Sequence, residues 1–380
     1  GAKLTYIDVR ATVTASKADN FLLIRPGTDY ALNLALIHVI LADHLYDADF
    51  VAKWVVGLPE LEAFVRDYTP EWAEGETGIG AGEIVALAHS LAQDRPRVIF
   101  HGGWMVARYL DSFYSSRSIY ILNALMGNIE APGGLIIAKG AAEAGATSLR
   151  SLGCDIPAPA DEIIDADRPT GPLGSGHIVN LYKTIQSGEP YPVKAFFAYR
   201  YDPIASLPDP DAQKEVLDNL DLLVSIDVNY SQTGWFSDLI LPESTYLERS
   251  NILATQKGAS PRLLMRRKAM EPRFDSKPAW EIFTRIAQRA GAGEFFPYDS
   301  IEQMWHHQLE GTGIRPEDFR EKGFVSLSDG PVLFERDALR FKTESGRIEF
   351  VSPRLERISA PSFAPYVSPG KPSDGYFRLT

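Results

Sequence analysis

The sequence predicts an α/β fold of two Rossmann-like lobes with mainly parallel sheets, and three observations carry the prediction. Short apolar runs alternate with helical patterns along most of the chain, as strand–helix–strand crossovers require. Compact polar signatures recur at the ends of the apolar runs, where open parallel sheets receive ligands. A chain of 380 residues, 45% of them hydrophobic, is also long enough to bury the cores of two or three domains.

Taken in order, runs 4–7 and 21–24 read as strands. Each leads into a polar turn, Asp8-Val9-Arg10 and Arg25-Pro26-Gly27-Thr28-Asp29. Residues 30–45 carry helix periodicity, with Leu32, Leu36, Val39 and Ile40 on one face. Helices are expected over 48–56, 61–68, 83–93 and 115–126, and a short buried strand over 97–100. After that strand, His101-Gly102-Gly103-Trp104 forms a Gly-rich turn of the kind that lets a ligand approach the backbone. Residues 138–176, rich in Gly, Ala, Pro and Asp, lack periodicity and read as an irregular crossover segment. Order resumes with a helix over 177–187 and strands over 193–199, 222–228 and 238–241. Further helices are expected over 212–219, 279–290 and 301–308.

The domain reading follows from these changes. Residues 1–137 form part of a first α/β lobe, 138–176 the crossover, 177–330 a second α/β lobe, and 331–380 a connection of short strands and turns toward another domain. Both ends read as cut. The first residues run straight into a strand, and Tyr376-Phe377-Arg378-Leu379-Thr380 reads as a strand stopped midway.

Composition narrows the function classes. A formal net charge of −12 argues against a nucleic-acid surface, which carries a basic patch. No apolar stretch approaches the length of a membrane span, and no targeting peptide is visible. With Cys154 as the single cysteine, a disulfide framework or a CxxC-type cluster within this sequence is excluded. Serine-hydrolase, P-loop and zincin motifs are all missing. His306-His307 has no carboxylate at zincin spacing and reads as packing or surface, and His44 reads as a helix-terminal residue.

Five places put polar residues at strand ends: Asp8 with Arg10, residues 25–29, residues 101–104, residues 199–203, and Asp227. A strand-end Asp can accept paired hydrogen bonds from a guanine edge or a ribose, and Arg offers a planar fork suited to phosphate. Together they point to a large, polar, phosphate-bearing ligand. Taken singly, each such Asp reads equally as a turn residue or helix cap.

Several segments resemble the molybdopterin-guanine-dinucleotide oxidoreductases of the dimethyl-sulfoxide-reductase type. They are Ile7-Asp8-Val9-Arg10, Lys17-Ala18-Asp19, Ile24-Arg25-Pro26-Gly27-Thr28-Asp29, Tyr46-Asp47-Ala48-Asp49-Phe50-Val51 and Tyr68-Thr69-Pro70-Glu71. Later come residues 121–128 with Pro132-Gly133-Gly134, then Asp238-Leu239-Ile240-Leu241-Pro242-Glu243 and Ser345-Gly346-Arg347-Ile348-Glu349. The resemblance implies that Asp8, Arg10, Arg25, Pro26, Gly27 and Asp29 bind one pterin dinucleotide, and that Gly102 and Trp104 face the cofactor region. Asp202 and Asp227 match segments that bind a second dinucleotide. Two departures stand out: Val9 where the family usually has Pro, which leaves the polar groups in place, and Arg200 where Gly is common, which either adds a phosphate contact or marks a local misalignment.

The same resemblance implies a molybdenum or tungsten bis-molybdopterin guanine dinucleotide cofactor. It further implies a 4Fe-4S cluster and a metal ligand upstream of this sequence, and a β-rich domain downstream. Residues 187–194, 243–249 and 276–280 are similar to polysulfide and thiosulfate reductase catalytic subunits. The implied substrate is a small inorganic anion, and Arg108 is the candidate that steers it. The implied partners are an iron–sulfur electron-transfer subunit and a quinone-linked membrane anchor, with no nucleic acid; a periplasmic or extracytoplasmic membrane-associated complex is favoured, and the cytoplasmic side stays open. Sulfite dehydrogenases and arsenate or tetrathionate reductases share these features. Rival classes are a nicotinamide enzyme, whose GxGxxG is missing after the first strand, a two-lobed solute-binding protein, and a pseudoenzyme without the metal ligand.

Overall fold

The computed structural model describes residues 1–104, 106, 112–153, 164 and 178–376. The chain divides into two compact units, Gly1–Ile137 with Leu333–Thr380, and Ala138–Val332. Both are α/β, as the alternation of runs predicts: the strands of the first pair in parallel, and the second holds one parallel and one antiparallel sheet. No helix among the described residues is long and apolar enough to cross a membrane.

In the first unit, β1 (Thr5–Asp8) and β2 (Asn20–Leu23) pair in parallel, from Thr5 opposite Asn20 to Asp8 opposite Leu23. The chain then turns into α1 (Asp29–Ala42), which the sequence reads as amphipathic. Instead, ten of its fourteen residues are buried, because α3, α4, α5 and α6 all pack against it. A helix wrapped by neighbours is apolar all round. It also ends earlier than its periodicity suggests. His44 turns to φ +53, Leu45 N donates to Ile40 O at 2.8 Å and His44 N to Leu41 O at 3.2 Å. That is a Schellman stop with a His in the left-handed position.

Next come α2 (Ala48–Trp54), capped by Asp47 on Phe50 N at 3.0 Å, and β3 (Val55–Val56). The predicted helix over 48–56 therefore loses its last turn to a parallel pairing with the late strand Ile348–Glu349. Then follow α3 (Leu58–Val65), α4 (Pro70–Thr77), α5 (Ala81–Asp94) and α6 (Ser112–Leu125). Of these, α4 is not anticipated. Thr69 accepting from Trp72 N, followed by Pro70 at the first helical position, starts it.

The strand expected over 97–100 does not form among the described ladders. Its backbone is met by side chains: Asn123 accepts from Phe100 N at 3.0 Å and donates to Phe100 O at 2.9 Å, and Asn128 donates to Val98 O. Residues 333–376, read as a connection onward, are part of this unit. Arg117 donates to Glu349 O and Phe350 O at 2.9 and 2.7 Å, Tyr30 OH to Ala364 O at 2.8 Å, and Phe363 stacks on Phe64.

The second unit holds a parallel sheet of β4 (Ala195–Tyr199), β5 (Leu222–Asp227) and β6 (Leu239–Pro242), with β5 central. Four consecutive residues of β5 are buried, as a strand covered on both faces requires. Helix α7 (Ile178–Ser187) precedes β4, α8 (Pro203–Ser206) and α9 (Pro210–Leu217) lead into β5, and α10 (Gln232–Phe236) leads into β6. A separate antiparallel sheet joins β7 (Ala254–Gln256), β8 (Arg262–Leu264) and β9 (Phe324–Ser326), beside α11 (Ala279–Arg289) and α12 (Ile301–Leu309). Residues 138–153 of the predicted crossover belong to this unit: Lys139 pairs with Gly258 through the backbone, and Arg150 N donates to Gln308 O at 2.9 Å. Cys154 and nearly all of the rest of that segment lie outside the described residues.

Candidate functional site

Each unit places its polar residues at the carboxyl ends of its parallel strands. In the first, Asp8 closes β1. One of its carboxylate oxygens accepts from Tyr6 OH at 2.7 Å and the other from Arg10 N at 3.3 Å. These contacts orient the carboxylate while leaving it half-buried. The Arg10 side chain is exposed, and its guanidinium has no partner among the described residues.

Arg25, Pro26, Gly27 and Thr28 form a turn with Pro second and Gly27 third at φ +79. That is the residue order a type II turn demands. Thr28 N and its hydroxyl both donate to Arg25 O, at 3.3 and 2.7 Å. Asp29 follows as the first residue of α1, where a carboxylate suits the positive end of the helix dipole. Arg25 itself is partly engaged. Its Nη1 donates to Gly75 O at 2.5 Å and Glu76 O at 3.1 Å, satisfying carbonyls at the end of α4 that lack helical partners.

The 101–104 turn approaches α6 closely. A Cβ on Gly102 would lie 2.8 Å from the Ile119 side chain, and Gly103 sits at φ +63. The Trp104 ring is exposed. Arg108 and Tyr109 lie outside the described residues.

In the second unit, Asp202 caps α8 and braces α10 as well. It accepts from Ala205 N, Gln232 N, Thr233 N and the Thr233 hydroxyl, at 3.3, 3.0, 3.0 and 2.7 Å. Desolvation pushes its pKa up, but the hydrogen bonds from Thr233, Gln232 and Ala205 outweigh it and hold the carboxyl below its ordinary value. Asp227 ends β5 half-buried, with one oxygen accepting from Val228 N at 2.6 Å.

The same strand ends carry a cluster around Glu243 that the sequence reading does not assemble. Glu243, fully buried directly after β6, accepts two 2.7 Å hydrogen bonds from Arg200, one from Arg249, and one from Tyr199 OH at 3.1 Å. Arg200 has φ +49. That is a left-handed backbone, which glycine adopts without strain and which this Arg occupies. The two guanidiniums respond differently to Glu243. Its hydrogen bond holds Arg200 more firmly protonated, whereas burial works against the charge of Arg249 and prevails over the same carboxylate. The signal in the sequence was the pair Glu243 and Arg249 behind an apolar strand, with Arg200 at a strand end. Nothing local pairs residues 43 positions apart.

Residues 1–289 match the molybdopterin oxidoreductase family. The chain belongs to that family. Among its relatives, the thiosulfate reductase molybdopterin-containing subunit PhsA of Salmonella typhimurium is 31% identical over 94% of this chain and 52% of its own length. Acetylene hydratase of Syntrophotalea acetylenica is 27% identical, with the same coverage. The solved structure of acetylene hydratase from Pelobacter acetylenicus superposes with a TM-score of 0.80 at 25% identity, covering 96% of this chain and 53% of that one. The chain therefore spans about half the length of the curated relatives it matches. Family members bind molybdenum or tungsten with molybdopterin.

The residues present fit such a group. Parallel strand ends expose the half-buried carboxylates of Asp8 and Asp227, an Arg10 guanidinium with no partner among the described residues, and an ordered Arg200. These are an acceptor and a cation in each unit, the donor and acceptor chemistry a nucleotide needs.

Proposed function

We propose that this chain is the central part of a catalytic subunit that holds molybdenum or tungsten through two guanine dinucleotide forms of molybdopterin. We further propose that the whole protein reduces an inorganic sulfur compound, thiosulfate or polysulfide. The observation that carries the first part is the matched pair of polar strand ends, Asp8 with Arg10 and Asp227 with Arg200, one in each α/β unit. The second part rests on the likeness to the thiosulfate reductase subunit, because the other relatives differ widely in what their names say they act on.

When bound, the metal and its pterins supply the two-electron chemistry. This chain supplies binding and orientation. Asp8 and Asp227 accept from the guanosine parts. Arg10 and the outward face of Arg25 meet phosphate, and the Pro26-Gly27 turn shapes the backbone beside them before Asp29 opens α1. Asp202 keeps the α8 and α10 N-termini in register with the second site. Gly102 and Trp104 border the cofactor region, and Arg108 steers the anion. A 4Fe-4S cluster, an iron–sulfur electron-transfer subunit and a quinone-linked anchor complete the proposed electron path, in an extracytoplasmic complex.

The test is turnover by the full-length protein with a reduced low-potential dye, comparing thiosulfate, polysulfide, tetrathionate and arsenate. The reading expects oxidation of the dye with thiosulfate or polysulfide to exceed the others. Turnover of arsenate alone, or hydration of acetylene without dye oxidation, would overturn the substrate assignment.

A further inference from the structure

We propose that Arg200 is a preordered phosphate-binding cation of the second unit, its outward N–H groups contacting the diphosphate of the pterin dinucleotide held there. This rests on the cofactor reading above and deepens it by naming the part of the ligand that Arg200 contacts.

Four observations carry it. First, position 200 has φ +49, a left-handed conformation that is strained for a residue with a Cβ and not for glycine. A long cation is nevertheless kept there. Second, the guanidinium is fixed. Its Nε and Nη2 each donate to Glu243 at 2.7 Å, and its Cζ lies over the Tyr199 ring, 4.9 Å from the centroid. Third, this pairing engages one edge of the fork and leaves three of the five N–H groups unbound by Glu243. The Arg200 side chain is 43% exposed, whereas Arg249 is 7% exposed on the other side of the same carboxylate. One buried carboxylate shared by two guanidiniums leaves an excess of positive charge, and Arg200 is the partner that presents it to solvent. Fourth, Arg200 N donates to Ile226 O at 3.0 Å, which sets the residue between the carboxyl ends of β4 and β5, where parallel sheets receive ligands.

A cation immobilised in this way binds an anion without losing rotamer freedom at that moment. Arg249 and Tyr199 are then positioning residues, because they act through Glu243. Asp227 carries the opposing charge at the same strand ends. Its carboxylate suits a ribose or base edge, so the anion is selected by the guanidinium's fork and not by net charge.

The experiment uses the full-length holoenzyme and follows guanine nucleotide, not activity. Protein is incubated in rising KCl, passed through a desalting column, and assayed for acid-released GMP, with circular dichroism recording the fold. Arg200→Gln should release GMP about tenfold faster than wild type at equal salt, the loss of one charge-assisted contact, with the spectrum unchanged. Arg200→Lys, which keeps the charge, should recover most of the retention. Release within twofold of wild type by a folded Arg200→Gln, or Arg200→Lys no better than Arg200→Gln, overturns the proposal. Should Arg200→Gln not fold, Arg200→Gly, which suits the left-handed backbone at this position, takes its place with the same two outcomes. Wild-type protein that releases no GMP would overturn the cofactor reading itself, and the assignment of Arg200 with it.

Discussion

At the ends of β1 and β2 the Arg10 guanidinium has no partner among the described residues, and the Asp8 carboxylate accepts from Tyr6 and Arg10 of its own strand and turn. At the ends of β4, β5 and β6 most charged groups are already bound to protein: Asp202 to two helix N-termini, Glu243 to two arginines and a tyrosine. The two units present the same residue types at the same place in the topology and use them differently. In the first, the strand-end cation has no partner among the described residues to order it. In the second, the strand-end groups are ordered by partners within the protein. A strand-end Asp or Arg thus announces a polar mouth, and its hydrogen-bond partners decide whether it faces the ligand or holds the mouth in shape.

The largest expected break is at Glu243. Glu243→Ala leaves Arg249 buried without its carboxylate and releases Arg200, and removing one partner of a buried pair costs about 3–5 kcal/mol. Denaturant unfolding should show that loss. A change below about 1 kcal/mol would mean the cluster behaves like a surface pair and the contrast between the units is empty. Next is Asp202→Ala, which strips donors at two helix starts and should cost about 2–3 kcal/mol. Asp202→Asn, retaining one acceptor oxygen, should cost less.

The Asp202 shift also fixes a pH dependence. Its folded pKa lies below the ordinary 3.8, so its stabilising contribution is fully present above that value and fades as pH falls through the lower folded pKa. Wild type should lose its advantage over Asp202→Asn only in that acid window. An advantage that shrinks near neutral pH would place the linkage elsewhere.

Smaller effects are expected in the first unit. Arg25→Ala removes the partner of two α4 carbonyls and should cost about 1 kcal/mol, visible as a lower unfolding midpoint. Arg10→Ala should leave unfolding unchanged while weakening cofactor retention. A destabilised Arg10→Ala would show that this residue, too, serves the fold.

Much of the framework was legible because its signals are local. The buried run of β5, the periodicity of α5 and α6, and Pro26-Gly27 each state their structure within a few residues. What escaped depends on distant partners. The 97–100 run has a strand's composition, but Asn123 and Asn128 take the backbone groups that a neighbouring strand would have used. The all-round burial of α1 reflects four helices whose approach no single helix encodes. At the site, strand-end positions were readable. The engagement of Arg25 by α4, of Asp202 by α10 and of Arg200 by Glu243 was not, since each contact closes a loop of 30 residues or more.

The most direct measurement is acid-released GMP per polypeptide from the anaerobically purified full-length protein, in wild type, in Arg10→Ala with Asp8→Ala, and in Asp227→Ala. If each unit holds one dinucleotide, wild type releases the most, each single-unit change lowers the yield, and combining them abolishes it. A folded wild type that yields no GMP, or strand-end variants that yield as much as wild type, would contradict the account.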